Sequence, residues 1–218
     1  KMMYNSSLEP EVSNLIDMLQ KMGLGLTGSE RTGIIYDGTN RNLLKGVDFE
    51  VIPDRLEAAT YALLALMTKG ELQIEGINFE HCSPWLGQLT RMFDKGIYFS
   101  PDLTKLNLDF RNHNSYNGFI MQVTPFPGFE TDLQQIWTPV MALAQTPSII
   151  SDLIWPGRSA HLAEMAKFGL NSDFHQFDIV SGQQATVKNL FINIHPSAFN
   201  AAQASGTDLR GTMALLLI

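Results

Sequence analysis

Apolar residues along the chain follow two alternating rhythms. Val12, Leu15, Ile16 and Leu19 recur at helical spacing and predict a helix over Pro10 to Lys21, with Pro10 in its first turn and Gly23 as its left-handed stop. Ile34-Ile35-Tyr36 is strand-like and runs into the turn pair Asp37-Gly38. A second helix opens at Asp54, with Glu57 at capping-box spacing, and fades by Gly70. Leu72 to Ile77 alternates as a strand, Ser83-Pro84 starts a helix carrying Leu86, Leu89 and Phe93, and Leu106, Leu108 and Phe110 alternate again.

The following stretch repeats that order. Phe119 to Val123 reads as a strand, and Asp132 opens a helix with Leu133, Ile136, Trp137, Val140 and Leu143, bent at Pro139. Ser148 to Trp155 is a strand, His161 to Phe168 a short helix, and Phe174 to Val180 and Asn189 to Ile194 two more strands. Asp208 opens a last helix with Leu209, Met213, Leu216 and Leu217.

Asp54, Asp132 and Asp208, which open corresponding helices, lie 78 and 76 residues apart. Gly23, Gly96 and Gly169, which close the other helical patterns, lie 73 apart. A fixed period implies units that bury their apolar faces against one another. The expected fold is an α/β domain of about three pseudo-repeats packed around a shared centre. Because the last apolar helix is still running at Ile218, the chain reads as a fragment of a longer polypeptide.

Composition narrows the function classes. The 218 residues are 44% apolar and 17% charged, which is ordinary for a globular protein. The net charge of −7 and the lack of a basic run with interleaved aromatics argue against nucleic acid as a partner. Met213 to Ile218 is too short to span a bilayer. Cys82 is the single cysteine, which rules out an intramolecular disulfide and suggests a cytoplasmic location.

Two motifs are deceptive. Gly23-Leu24-Gly25-Leu26-Thr27-Gly28 has the spacing of a dinucleotide fingerprint, but it follows a helix and precedes a strand, the reverse of what phosphate binding needs. His81-Cys82 has no second His/Cys pair at ligand spacing, so a buried thiol is expected and no metal. On spacing, each of the three period-marking aspartates is expected to be a helix cap before anything else. Asp132 stands apart because Thr124-Pro125-Phe126-Pro127-Gly128-Phe129-Glu130-Thr131 is a rigid entry that can hold its carboxylate at a cleft edge, where it could take a proton. Arg158, just after Trp155-Pro156-Gly157, could bind phosphate or carboxylate; as a surface residue it would simply be solvated. Arg210 lies in the first turn of its helix, where a cation opposes the dipole, which points to an anionic partner.

Four ordered segments carry a family resemblance. Pro127-Gly128-Phe129-Glu130-Thr131-Asp132-Leu133-Gln134 resembles the PGFPTDLQ-type segment of the UDP-N-acetylglucosamine enolpyruvyl transferase (1-carboxyvinyltransferase) family. Leu8-Glu9-Pro10-Glu11 resembles its EPEI segment, Pro53-Asp54-Arg55-Leu56-Glu57 its PDRIE segment, and Thr207-Asp208-Leu209-Arg210 its ATDLR segment. Arg158, His161, Glu164 and Gly169 match an RxxHxxELxxxGA pattern.

The resemblance implies an incomplete enolpyruvyl transferase fold, an inside-out α/β barrel-like domain of βαβαββ-type pseudo-repeats. Residues 1–46 would end a first, uridine-side domain, and residues 47–218 would form most of the second. The implied reaction joins enolpyruvate from phosphoenolpyruvate to the 3-hydroxyl of UDP-N-acetylglucosamine, a step in peptidoglycan precursor synthesis, without metal or organic cofactor. Carried over by position, Asp132 and Asp208 are the catalytic candidates. Asp132, Ile154, Trp155, Arg158, Leu209 and Arg210 are the substrate-binding candidates. The family's lysine-asparagine pair and reactive-cysteine loop fall upstream of Lys1, and Cys82 does not match that cysteine. Alone, the chain would be inactive, because half the cleft would be missing. The unusual length of Gly182 to Pro196 and the Pro156-Gly157 pair leave open a homologue that is catalytically silent, serves as a binding module, or uses another nucleotide acceptor.

Overall fold

The computed structural model describes residues 1–29, 31–38, 42–113, 115–181, 185–206 and 208–218. Thr207 of the fourth resembling segment and Gly182, which opens the long stretch before Pro196, lie outside them. Contacts divide the chain into two compact units, Lys1–Pro53 with Pro125–Pro127, and Asp54–Thr124 with Gly128–Ile218.

In the first unit, β1 (Met2–Met3), β3 (Gly33–Tyr36) and β2 (Leu26–Ser29) form an antiparallel sheet in that order, beside helix α1 (Pro10–Lys21). The glycine-rich run ends the helix and then becomes β2. Gly28 is obligatory there: its φ is +83°, and a Cβ would lie 2.0 Å from the Gly33 carbonyl oxygen.

The second unit begins with α2 (Arg55–Met67), β4 (Glu71–Glu75), α3 (Phe79–Met92), β5 (Ile97–Phe99) and β6 (Lys105–Asp109). Its strands form an antiparallel sheet in the order β4-β6-β5. The next repeat is β7 (Ile120–Val123), α4 (Thr131–Ala142), β8 (Ser148–Asp152), α5 (Ala160–Ala166), β9 (Asn171–Ser181) and β10 (Ala185–His195). Its sheet runs β7-β8-β10-β9, with β7 parallel to β8 and the other pairs antiparallel. Helix α6 (Leu209–Leu216) opens a third repeat. Among the described residues the sheets do not close into a barrel, and no helix is long and apolar enough to cross a membrane.

Helix α4 is the interior element. Every residue from Leu133 to Ala142 is buried, so the expected amphipathic stripe is replaced by burial on all sides, Gln134, Gln135 and Thr138 included. Helices α2 and α6 and strands β8 and β10 surround it. Trp137 sits between Phe119 and Phe129, with both ring pairs edge-to-face at 5.5 Å.

Two helices depart from the sequence reading. Helix α3 starts at Phe79, not Ser83, because the Asn78 side chain accepts from the Glu80 and His81 N–H groups and caps it; Pro84 lies inside, at the cost of one backbone hydrogen bond. Helix α6 packs through Gly211, Ala214 and Leu217, while Leu209 and Leu216 of the expected stripe are each 71% exposed. Strands β9 and β10 pair over eleven residues, so the long stretch is a hairpin whose outer part extends past β8.

The starts of α2 and α4 are tied by an ion pair between two buried side chains, Arg55 and Glu130. Removing one partner takes a counter-ion from a charge that stays buried. Glu130→Ala should cost about 3–5 kcal/mol in urea denaturation, and the double change Arg55→Met/Glu130→Leu should recover most of it. An equal loss in the double variant would mean that packing, not charge, sets the cost.

Candidate functional site

Three segments of the second unit converge at the start of α4. Asp132, in the first turn of α4, receives Arg158 Nη1 on Oδ1 at 2.7 Å and Arg210 Nη2 on Oδ2 at 3.1 Å. Arg158 comes from the loop between β8 and α5, and Arg210 from the first turn of α6. Arg158 Nη1 also donates to the Thr131 carbonyl at 2.7 Å, and its guanidinium lies 5.1 Å from the centre of the Trp155 ring. The Asp132 side chain stays 36% exposed. Both cations are thus fixed, while the carboxylate remains open to solvent.

The three aspartates that mark the period do not share one job. Asp54 caps α2 by accepting from the Leu56 and Glu57 N–H groups, and Asp208 caps α6 by accepting from Gly211 N–H at 2.9 Å. Asp132 departs from the capping expectation: Glu130 is the N-cap of α4, and Asp132 spends its carboxylate on the arginines. Gly211 lacks a side chain for a local reason, because a Cβ there would lie 2.8 Å from Asp208 Oδ2.

Electrostatics follow the same geometry. Burial alone would raise the Asp132 pKa. The hydrogen bond and charge of Arg158, with Arg210 behind it, outweigh burial and hold the carboxyl below its ordinary range. Burial likewise opposes ionisation of Asp208, but the Gly211 N–H and the Gln135 amide prevail and lower its pKa.

The remaining candidates occupy the rim. Trp155 is 58% exposed and Ile154 is exposed beside it. Strand β8 stops at Asp152, short of the expected Trp155, because the Asp152 carboxylate accepts from the Ile154 and Trp155 N–H groups at 2.8 and 2.9 Å. Any main-chain contact from Ile154 would therefore use its carbonyl. Leu209 points away from the packed face of α6.

Sequence reasoning missed three supports. Asp152, fully buried, accepts from the Thr131 hydroxyl at 2.7 Å and so links the β8 turn to the start of α4. Gln135 Nε2 lies 3.4 Å from Asp208 Oδ2 and 3.3 Å from His161 Nδ1. His161, a motif position in the sequence, is buried, with Nε2 3.2 Å from the Thr138 hydroxyl. The available signal was a pair of glutamines inside an otherwise apolar helix. Cys82 is buried in the core, and burial pushes its thiol up to about 12. No set of three His, Cys, Asp or Glu side chains is arranged to hold a metal among the described residues.

Burial pushes His161 down to about 4; Asp208 opposes and Arg158 reinforces the shift. Its folded pKa lies below the ordinary value near 6.5, so the unfolded chain takes up the proton first. The resulting stability is complete above about pH 6.5 and is lost as pH falls toward 4. Between pH 7.5 and 4.5 this group should account for a loss of roughly 2–3 kcal/mol. Urea denaturation at the two pH values should show a smaller loss in His161→Gln than in wild type; equal losses would mean that His161 does not titrate across folding.

The EPSP synthase (3-phosphoshikimate 1-carboxyvinyltransferase) family model matches residues 2–218. The UDP-N-acetylglucosamine 1-carboxyvinyltransferase of Wolbachia pipientis wMel is 32% identical over 219 residues, covering 98% of this chain and 46% of the relative. The same-named protein of Parasynechococcus marenigrum (strain WH8102) is 33% identical over 214 residues, covering 98% and 45%. The chain thus spans about half the length of the curated relatives it matches. The crystal structure of the enolpyruvyl transferase NikO from Streptomyces tendae superposes with a TM-score of 0.76 at 19% identity, over all of this chain and 48% of that one. That likeness shows the fold. With a family match over nearly its whole length, this chain belongs to the EPSP synthase, or enolpyruvyl transferase, family.

Proposed function

We propose that this chain supplies one wall of the active site of an enzyme that transfers enolpyruvate from phosphoenolpyruvate to the 3-hydroxyl of UDP-N-acetylglucosamine. In this reading residues 1–46 end a uridine-side domain, residues 47–218 make most of the second, and the rest of the relatives' fold completes the cleft. The enzyme works in the cytoplasm on peptidoglycan precursors, without a metal or organic cofactor. The observation that carries the reading is the half-open Asp132 carboxylate gripped by Arg158 and Arg210 from two other segments. The acceptor is inferred from relatives named for UDP-N-acetylglucosamine at 32–33% identity, together with the Gly128 to Gln134 segment.

The chemistry fits those groups. Asp132 takes the proton of the sugar 3-hydroxyl as its oxygen bonds to C2 of phosphoenolpyruvate, and a general acid of the complete enzyme gives a proton to C3, which yields a tetrahedral phosphate-bearing adduct. The C2–O bond to phosphate then breaks, C3 loses a proton, and the enolpyruvyl ether and inorganic phosphate result. A carboxylate paired with two guanidiniums is a poor base, because its lone pairs are committed and its pKa is depressed. An incoming phosphate or carboxylate competes for Arg158 and Arg210, which stabilise the charge collecting on the leaving group. Losing them raises the basicity of Asp132 at the moment the donor is in place. Trp155 and the Ile154 carbonyl face the acceptor in this scheme, and Asp208 with Leu209 and Arg210 borders the donor.

Phosphate release measures the reaction directly. In the polypeptide carrying the complete fold, Asp132→Asn should lower turnover on the order of 100-fold or more with an unchanged unfolding temperature. Turnover near wild type would leave Asp132 as a mere anchor for the arginines. The 218-residue chain alone should release no phosphate, and release by it would overturn the need for a second wall. A complete wild type without turnover would favour a binding module or another nucleotide acceptor.

A further inference from the structure

The transfer scheme makes no use of several buried polar groups near the site. Gln135, Thr138 and His161 are 1%, 0% and 3% exposed, in and beside a fully buried helix that also holds Gln134. Their hydrogen bonds form one chain. Gln135 Nε2 faces Asp208 Oδ2 at 3.4 Å and His161 Nδ1 at 3.3 Å. His161 Nε2 faces the Thr138 hydroxyl at 3.2 Å, and that hydroxyl donates to the Gln134 carbonyl at 3.2 Å.

The direction of the chain is forced. Ionised Asp208 only accepts, so Gln135 must turn its NH2 group toward it; the opposite amide orientation would set Oε1 against the carboxylate. The same nitrogen then meets His161 Nδ1, which must present a lone pair, so the imidazole carries its proton on Nε2 and donates to Thr138. Thr138 passes its own proton to the backbone. Gln135 Oε1 is buried and finds no partner among the described residues, so the Nε2 contacts are the hydrogen bonds that hold this amide. Asp208 is also pinned from the other side by Gly211 N–H, in the same turn that carries Arg210 to Asp132.

We propose that Gln135 and His161 are positioning residues, whose buried hydrogen-bond chain fixes the Asp208 carboxylate and thereby aims the first turn of α6, with Arg210, at the reacting groups. The proposal rests on the enolpyruvyl transfer reading of the site. Neither residue touches substrate. Loss of the chain leaves the fold in place and lets the α6 turn wander, so it acts on the chemical step more than on nucleotide-sugar binding.

The test is steady-state phosphate release by the complete enzyme, with unfolding temperatures measured alongside. Gln135→Met keeps the volume and removes both donors. It should lower kcat about 10- to 100-fold, leave the KM for the nucleotide sugar within about twofold, and unfold at or above the wild-type temperature. His161→Leu should behave similarly, whereas His161→Gln, which can still accept from Gln135 and donate to Thr138, should recover most of the turnover. Gln135→Met combined with Asp208→Asn should be no slower than the slower single variant, since both break one link. Full turnover in folded Gln135→Met, or failure of His161→Gln to exceed His161→Leu, would overturn the positioning role while leaving the transferase reading intact. An inactive wild type would instead overturn the transferase reading, and catalytic positioning with it.

Discussion

One carboxylate between two guanidiniums organises this end of the molecule. The starts of α2, α4 and α6 lie at one end of the second unit, and each helix brings the positive pole of its dipole there. Arg55, Arg158 and Arg210 add three full charges to the same region. Glu130 answers Arg55 in the interior, and Asp132 answers the other two at the surface. The buried pair is a strut between helices. The half-buried trio keeps its carboxylate partly open to solvent.

This division of labour between adjacent acids explains why the repeats diverge where they do. The period places an aspartate at the start of each interior helix, and in α2 and α6 that residue closes off free N–H groups. In α4 the chain enters through Phe129-Glu130-Thr131, which puts Glu130 at the cap position and shifts Asp132 into the first turn. A displacement of two residues turns a cap into a ligand for arginine. The buried Asp152 secures the displaced turn through Thr131 and at the same time folds the β8 end that presents Trp155.

Much of this was legible in the sequence, unevenly. The periodicity revealed the α/β repeats, and the Pro/Gly entry singled out Asp132. The dipole penalty at Arg210 pointed to an anion, which the structure supplies as Asp132. The errors share a cause: local patterns say which residues are apolar, not which face a neighbour covers. The α6 stripe failed because Gly211 and Ala214 are the buried positions of the helix, while Leu209 and Leu216 face outward. The start of α3 was misplaced because Ser83-Pro84 mimics a cap, while Asn78, five residues earlier, provides one. Gln135 and His161 were invisible as a pair because 26 residues separate them, and only the fold brings the amide to the imidazole.

The β9–β10 hairpin carries a consequence for how such chains can vary in length. Its eleven in-register pairs set Leu190, Ile192 and Ile194 inward and His175, Phe177 and Phe191 on the opposite side. Adding or deleting one residue within β10 would turn its three aliphatic chains outward, and within β9 would turn His175 inward. Insertions and deletions should therefore accumulate between the strands and be purged within them, so relatives would differ in the reach of this arm while keeping its two faces unchanged.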